Sequence, residues 1–175
     1  MPHSESNPHH LDPYRNFRFR VKWDGHYVAG VSYVSALTWT TEVVEIREGG
    51  DPNEIRKLPG LLKFSPIILK RGFTADTAFE DWANQIRDEG GGGGVANFRK
   101  DIVIDLFDDA DRKVLSYLVH HCWVSEYQAL PDLDANGHAV AIEHLRLENE
   151  GWERDRTVVP PAEANLHRAT ERRKH

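Results

Sequence analysis

TTEVVEIREGGDPNEIRKLPGLLKFSPIILKRG, residues 40–72, decides how the rest of the chain is read. Residues 41–47 alternate between polar and apolar, the period of a half-buried strand. Residues 48–60 are charged, with Gly49-Gly50-Asp51-Pro52 at one end and Leu58-Pro59-Gly60 at the other, so the chain turns sharply at both ends. A second apolar run, residues 64–71, leaves the segment. Most hairpin connections take about two to five residues, and a longer one inside a compact domain is expected to be functional. This one holds no histidine and no cysteine. It reads as an arm that touches another protein, with Arg47, Glu48, Gly49, Gly50, Asp51, Lys57, Leu58, Pro59, Gly60 and Arg71 as the expected oligomer contact. Arg47, Glu48, Asp51, Lys57 and Arg71 are the expected salt-link residues.

Working back from the arm, Phe17, Phe19, Val21 and Trp23 alternate with Arg18, Arg20 and Lys22, which predicts a strand with one apolar face. Asp24-Gly25 marks a turn into a second strand over residues 27–37, where Gly30 suggests a bulge or a close backbone approach. Residues 39–47 form the third strand and 64–71 the fourth, with Pro66 at an edge or bulge. Working forward, Phe79, Trp82, Ala83 and Ile86 recur at helical spacing after a capping Asp76 or Thr77, so a helix over 76–87 packs on the sheet through Phe79, Trp82 and Ile86. Five glycines, Gly90 to Gly94, end it. Strands follow over 98–107, 113–127 and 140–149. In the last, the apolar positions slip from even (Val140, Ile142) to odd (Leu145, Leu147), which predicts a bulge near Glu143. The fold class is mainly β: a two-sheet sandwich or barrel of about seven strands, one packed α-helix and a long inter-strand arm. Residues 1–13 are expected to be a flexible tail, 14–152 the β domain and 153–175 a second tail.

The whole chain has 175 residues, 39% of them hydrophobic, and a net charge of −6, which suits one domain with a modest core. Its one cysteine, Cys122, excludes an intrachain disulfide and fits a reducing compartment. Residues 1–10 lack the apolar stretch of a secretory signal, and no run approaches the roughly 20 apolar residues of a membrane helix. The expectation is a chain that is cytoplasmic on synthesis, with no membrane partner. Residues 14–75 carry 10 basic and 6 acidic side chains, residues 76–152 carry 6 and 16. So acidic a second half argues against specific nucleic-acid recognition, which needs clustered Lys and Arg. It places Asp101 and Asp105 as candidates for an acidic internal channel.

The runs VVEIREGGD, RKLPG and KFSPIILKRG, followed by Phe79-Glu80-Asp81-Trp82, His121-Cys122-Trp123 and the segment from Ala141 to Leu147, resemble the tail tube proteins of contractile phages and related injection systems. The likeness covers about residues 14–152. It implies a non-catalytic subunit of six-fold rings that stack into a hollow tube, with contractile sheath and baseplate proteins as partners, possible cargo in the lumen, and a final place in a phage tail or injection particle.

Other motifs compete weakly. Asp132, Asp134 and Asn136, with Glu143 further on, fit a calcium-loop pattern. If Glu143 lies on a strand, however, it stands roughly 20 Å from Asp132, and a plain turn is the better reading. His120 and His121 are adjacent and point to opposite faces of a strand, and His120 with Cys122 makes too small a set for zinc. The glycine run lacks the Gly-Lys-Ser/Thr of a phosphate loop. No cofactor and no catalytic residue is expected. The alternatives left open are a small-molecule-binding β-barrel lined by the five Trp and seven Phe, or a calcium-binding module.

Overall fold

A computed structural model of the chain describes residues 17–47, 49–50, 55–89, 98–137 and 140–159. The expected tails, Glu48, Asp51 and the glycine run lie wholly or largely outside these residues. In chain order the elements are β1 (Arg18–Trp23), β2 (His26–Tyr27), β3 (Val31–Val34), β4 (Trp39–Arg47), β5 (Ile55–Phe64), β6 (Ile67–Gly72), α1 (Ala78–Glu89), β7 (Lys100–Phe107), β8 (Lys113–Gln128), β9 (Ile142–Glu148) and β10 (Trp152–Arg154).

One large antiparallel sheet runs β2-β1-β7-β8-β9-β6-β3, with β10 also on β8; β4 and β5 form a separate two-stranded sheet. The 16-residue β8 belongs to both halves of the large sheet. Its first part pairs β7 and its last part pairs β9. Between them the backbone turns at His121, φ 50°, in a bulge where His120 and His121 together oppose Asp101. The Asp101 carboxylate accepts the His121 N–H at 2.8 Å, so the bulge leaves no donor there unpaired. Val21 and Trp23 on β1, Ile102 and Ile104 on β7, Ile67 and Leu69 on β6, and Leu145 and Leu147 on β9 share a single core.

The helix forms where its periodicity puts it. Asp76 caps it, accepting the Ala78 N–H at 2.9 Å. Phe79 and Trp82 are buried and Ile86 is half-buried. Trp82 packs against Trp23 with ring centroids 4.9 Å apart and the rings tilted by 53°, and its indole N–H donates to the Phe98 carbonyl at 2.8 Å.

Several expectations need correction. The second strand is not continuous, because Gly30 takes a left-handed φ of 73° and splits it into β2 and β3. The loop between the third and fourth strands is itself mostly strand. β5 runs through Pro59 and Gly60 and pairs all along β4, from Trp39↔Phe64 to Arg47↔Ile55. Phe64 thus ends the arm, and the fourth strand starts at Ile67, after Ser65-Pro66. The expected bulge near Glu143 is absent: β9 pairs β6 without interruption from Leu147 to Ile142, and the extra residue is Ser125 on β8. The folded chain also continues past residue 152, since β10 carries Glu153 and Arg154 along β8.

Candidate functional site

The arm is a β-hairpin that stands away from the core. Nearly every residue of β4 and β5 is exposed, although the pair carries Trp39, Val43, Val44, Ile46, Ile55, Leu58, Leu61 and Leu62, each more than 40% exposed. Directly opposed residues share a face, so one face holds Trp39, Thr41, Val43, Glu45 and Arg47 against Phe64, Leu62, Pro59, Lys57 and Ile55. The other holds Thr40, Val44 and Ile46 against Lys63, Leu58 and Arg56. A bulge sets Gly60 and Leu61 against the single residue Glu42. A Cβ on Gly60 would stand 3.0 Å from Val44 Cγ2 and 3.3 Å from the Glu42 carbonyl, so glycine lets the strands close there. An isolated two-stranded hairpin is marginal in water, and one with apolar side chains on both faces is a surface made to be covered.

Of the expected contact residues, Arg47, Gly49, Gly50, Lys57, Leu58, Pro59 and Gly60 are exposed on this hairpin, and Lys57 sits across from Glu45. Arg71 is elsewhere. It is 0% exposed, directly opposite Glu143 in the β6–β9 ladder. Its Nε donates to Glu143 Oε2 at 2.8 Å, Nη1 to Asp76 Oδ1 at 2.8 Å, and Nη2 to the Asp76 carbonyl at 2.7 Å. The guanidinium lies over the Phe79 ring, 4.1 Å from its centroid. Burial works against its charge, but the hydrogen bonds to Asp76 and Glu143 outweigh it and raise the pKa above the ordinary value. In return Arg71, with the Ala78 N–H, holds Asp76 below the ordinary carboxylate range. Tyr127 donates its hydroxyl to Glu143 Oε1 at 2.7 Å. Arg71 is therefore an internal clamp between sheet and helix cap, not an interface residue.

The same clamp removes Glu143 from the calcium pattern. Both of its oxygens are engaged, whereas Asp132, Asp134 and Asn136 lie in an exposed turn closed by its own bonds, Asn136 N–H to Asp134 Oδ1 at 2.9 Å and Gly137 N–H to the Asp134 carbonyl at 3.1 Å. Among the described residues no three His, Cys, Asp or Glu side chains gather as metal ligands. His121 and His120 each face their own carboxylate, Glu150 at 2.9 Å and Glu153 at 3.5 Å.

Of the two channel candidates, Asp101 is exposed and Asp105 is 0% exposed. Tyr27 donates to Asp105 Oδ2 at 2.6 Å and Lys113 Nζ lies 2.9 Å from it. Burial alone would raise the pKa of Asp105; Ser116, Tyr27 and Lys113 around it hold it below the ordinary range. Among the described residues Asp105 Oδ1 has no hydrogen-bond partner of normal geometry. Asp105 is thus a buried anchor and cannot line a channel.

Among the described residues nothing covers the β4–β5 hairpin. The model of the family described as T4-like virus tail tube protein gp19 matches residues 15–153, and the chain belongs to that family. The fold is similar to that of a chain in the sheath–tube complex of an extracellular contractile injection system, PVC, in its extended state (TM-score 0.68, 23% identity, 83% of this chain and 93% of that one). It is also similar to that of the anti-feeding prophage tube-terminating cap (0.70, 22%, 89% and 99%). Hcp1 from Flavobacterium johnsoniae is more distant (0.52, 14%, 78% and 93%). No curated protein matches the chain. The protein is a structural tube subunit of a contractile tail or injection particle.

Proposed function

We propose that copies of this chain close into six-fold rings, that the rings stack into a hollow tube within a contractile sheath on a baseplate, and that the subunit catalyses nothing. The observation that carries this reading is the β4–β5 hairpin, apolar on both faces and covered by nothing among the described residues. A monomer in water gains nothing from such a surface, whereas an oligomer buries it at about 25 cal/mol per Å². The large sheet also ends in strands that call for partners. Among the described residues, β3 pairs only β6, and the 123–128 part of β8 pairs only β9. Open edges of this kind are covered when each copy pairs head-to-tail with the next and the rotation closes. Solved structures of the same fold come from sheath–tube and baseplate assemblies, which supports the choice of partners. Asp101 is then a channel candidate for an anionic or neutral cargo.

Electron microscopy and native mass measurement of the purified full chain test this. Rings of six copies are expected, stacking at high concentration. A variant with residues 48–57 replaced by a short Gly-Ser linker is expected to keep its fold and lose stacking, because the described residues of that segment, Gly49, Gly50 and 55–57, are all exposed. A chain that forms only monomers or closed dimers at every concentration would end the proposal.

A further inference from the structure

The core is open on one side. Phe19 on β1, Ile104 and Leu106 on β7 and Tyr117 on β8 line an apolar hollow of about 350 Å³, together with Trp152 on β10 and Leu37 from the link between β3 and β4. Ile104 belongs to the core, and Phe19, Leu37, Leu106 and Trp152 pack against it half-buried. Tyr117 meets Trp152 edge to face, with ring centroids 5.9 Å apart. Phe17, the first described residue, is a further part of the lining and is 52% exposed. Among the described residues nothing fills the hollow.

We propose that the segment preceding β1 in the same chain folds back into this hollow and seats Leu11 and Tyr14 there. The place where the chain enters selects this occupant. Residues 1–16 run directly into Phe17, which lines the hollow. Residues 160–175 continue from the other face of the sheet, where Asp155 and Arg156 line a separate, polar hollow with Lys22, Ser116 and Leu118. Ser116 and Leu118 flank Tyr117 in β8, so they point away from the apolar hollow. Tyr14 and Leu11 are the large apolar side chains nearest Phe17. At three and six residues from it, they reach no further than roughly 10 and 20 Å along the chain. Asn16, a residue type that tolerates a left-handed turn, sits where the chain has to double back. A tyrosine suits a half-open site, because its ring is buried while its hydroxyl stays in reach of water. Residues 1–14 precede the stretch that matches the family, so most of this strap lies outside the shared domain. Its position also gives it a task. Leu37 is two residues from Trp39, where β4 begins, and the Ser65 N–H donates to the Thr38 carbonyl at 2.9 Å. A filled hollow therefore braces the root of the hairpin on both legs.

Two measurements on the full chain, below assembly concentrations, test the strap independently of the tube reading. Asp12→Cys combined with Ala36→Cys leaves the lining residues and both anchors intact, and the native Cys122 is buried and does not compete. Under copper phenanthroline in air, an intramolecular disulfide is expected at a rate independent of protein concentration. It should form at least tenfold faster than in Asp12→Cys combined with Glu153→Cys, whose second thiol lies on the other face. Separately, Ser35→Cys puts a thiol in the hollow's lining. Its reaction with a maleimide is expected to speed up at least fivefold when Leu11→Ser and Tyr14→Ser are added. Equal disulfide rates for the two pairs would overturn the strap, as would equal maleimide rates with and without the anchors. Disulfide-linked dimers in place of the internal bond would give the hollow to a second copy and overturn it as well.

Discussion

Glu143→Ala should be among the most damaging substitutions in this domain, although Glu143 touches no expected interface. The side chain is 7% exposed and directly faces Arg71, 0% exposed, across the β6–β9 ladder. Removing one member of a buried ion pair costs about 3–5 kcal/mol, because the other charge is left without compensation. Here the lower end applies, since Arg71 keeps Asp76 and the Asp76 carbonyl. Tyr127 loses the acceptor for its half-buried hydroxyl, which adds about 1 kcal/mol at the low end for an unmade bond. The expected loss is about 4 kcal/mol, out of the roughly 5–15 kcal/mol that holds a domain of this size. Urea unfolding should be followed at concentrations below assembly, because association adds stability by mass action. Glu143→Gln, which retains an acceptor oxygen, should fall between wild type and Glu143→Ala. Arg71→Met combined with Glu143→Leu should recover part of the loss, because no fully buried charge is left unpaired, while half-exposed Asp76 still loses Arg71 and Tyr127 its acceptor. A loss under about 1 kcal/mol for Glu143→Ala, or a double variant no better than the single, would refute the clamp.

Trp82→Ala should cost about 3–5 kcal/mol, the usual penalty for emptying an aromatic core site, and should lower the melting temperature accordingly; an unchanged melting temperature would show that the helix does not depend on Trp23 and Phe79. Alkaline pH should weaken the fold through Cys122, whose thiol burial pushes up to about 12. The folded value is the higher one, so this contribution is complete below the unfolded thiol's pKa of about 8.5 and is lost as pH rises from there toward 12, at up to about 1.4 kcal/mol per pH unit. Unfolding free energies at pH 8 and pH 10 should therefore differ more for wild type than for Cys122→Ala; equal slopes would exclude the buried thiol as a cause. Acid should act through Asp76 and Asp105, whose folded values lie below the ordinary carboxylate range. Their stabilising share is present above about pH 4 and is lost as pH falls through the folded values, so Asp76→Asn should flatten the acid limb of the stability profile.

The one-dimensional pattern determined every element that a single face explains. The helix, with Phe79, Trp82 and Ile86 on one stripe and a cap at Asp76 or Thr77, followed from spacing and local hydrogen bonding alone, as did β1, β7 and most of β8; the structure selects Asp76. The family was legible for the same reason, since its motifs are local runs in a fixed order. Residues whose place depends on a partner far along the chain were not legible by hydropathy. Arg71 and Glu143, 72 positions apart, were read as an interface charge and a bulge marker. Strand parity held the signal: Arg71 shares its face with Ile67 and Leu69, and Glu143 shares its face with Leu145 and Leu147. Only the register, which sets the two opposite each other, shows that both charges point inward. Asp105 was misplaced in the same way, because Tyr27 and Lys113 reach it from strands that only the sheet brings together. The arm needed tertiary structure too. Pro59 and Gly60 signal a loop to any local rule, yet β4 offers them a partner strand and a bulge that accepts them, because hydrogen bonding across a ladder outweighs the turn preference of two residues.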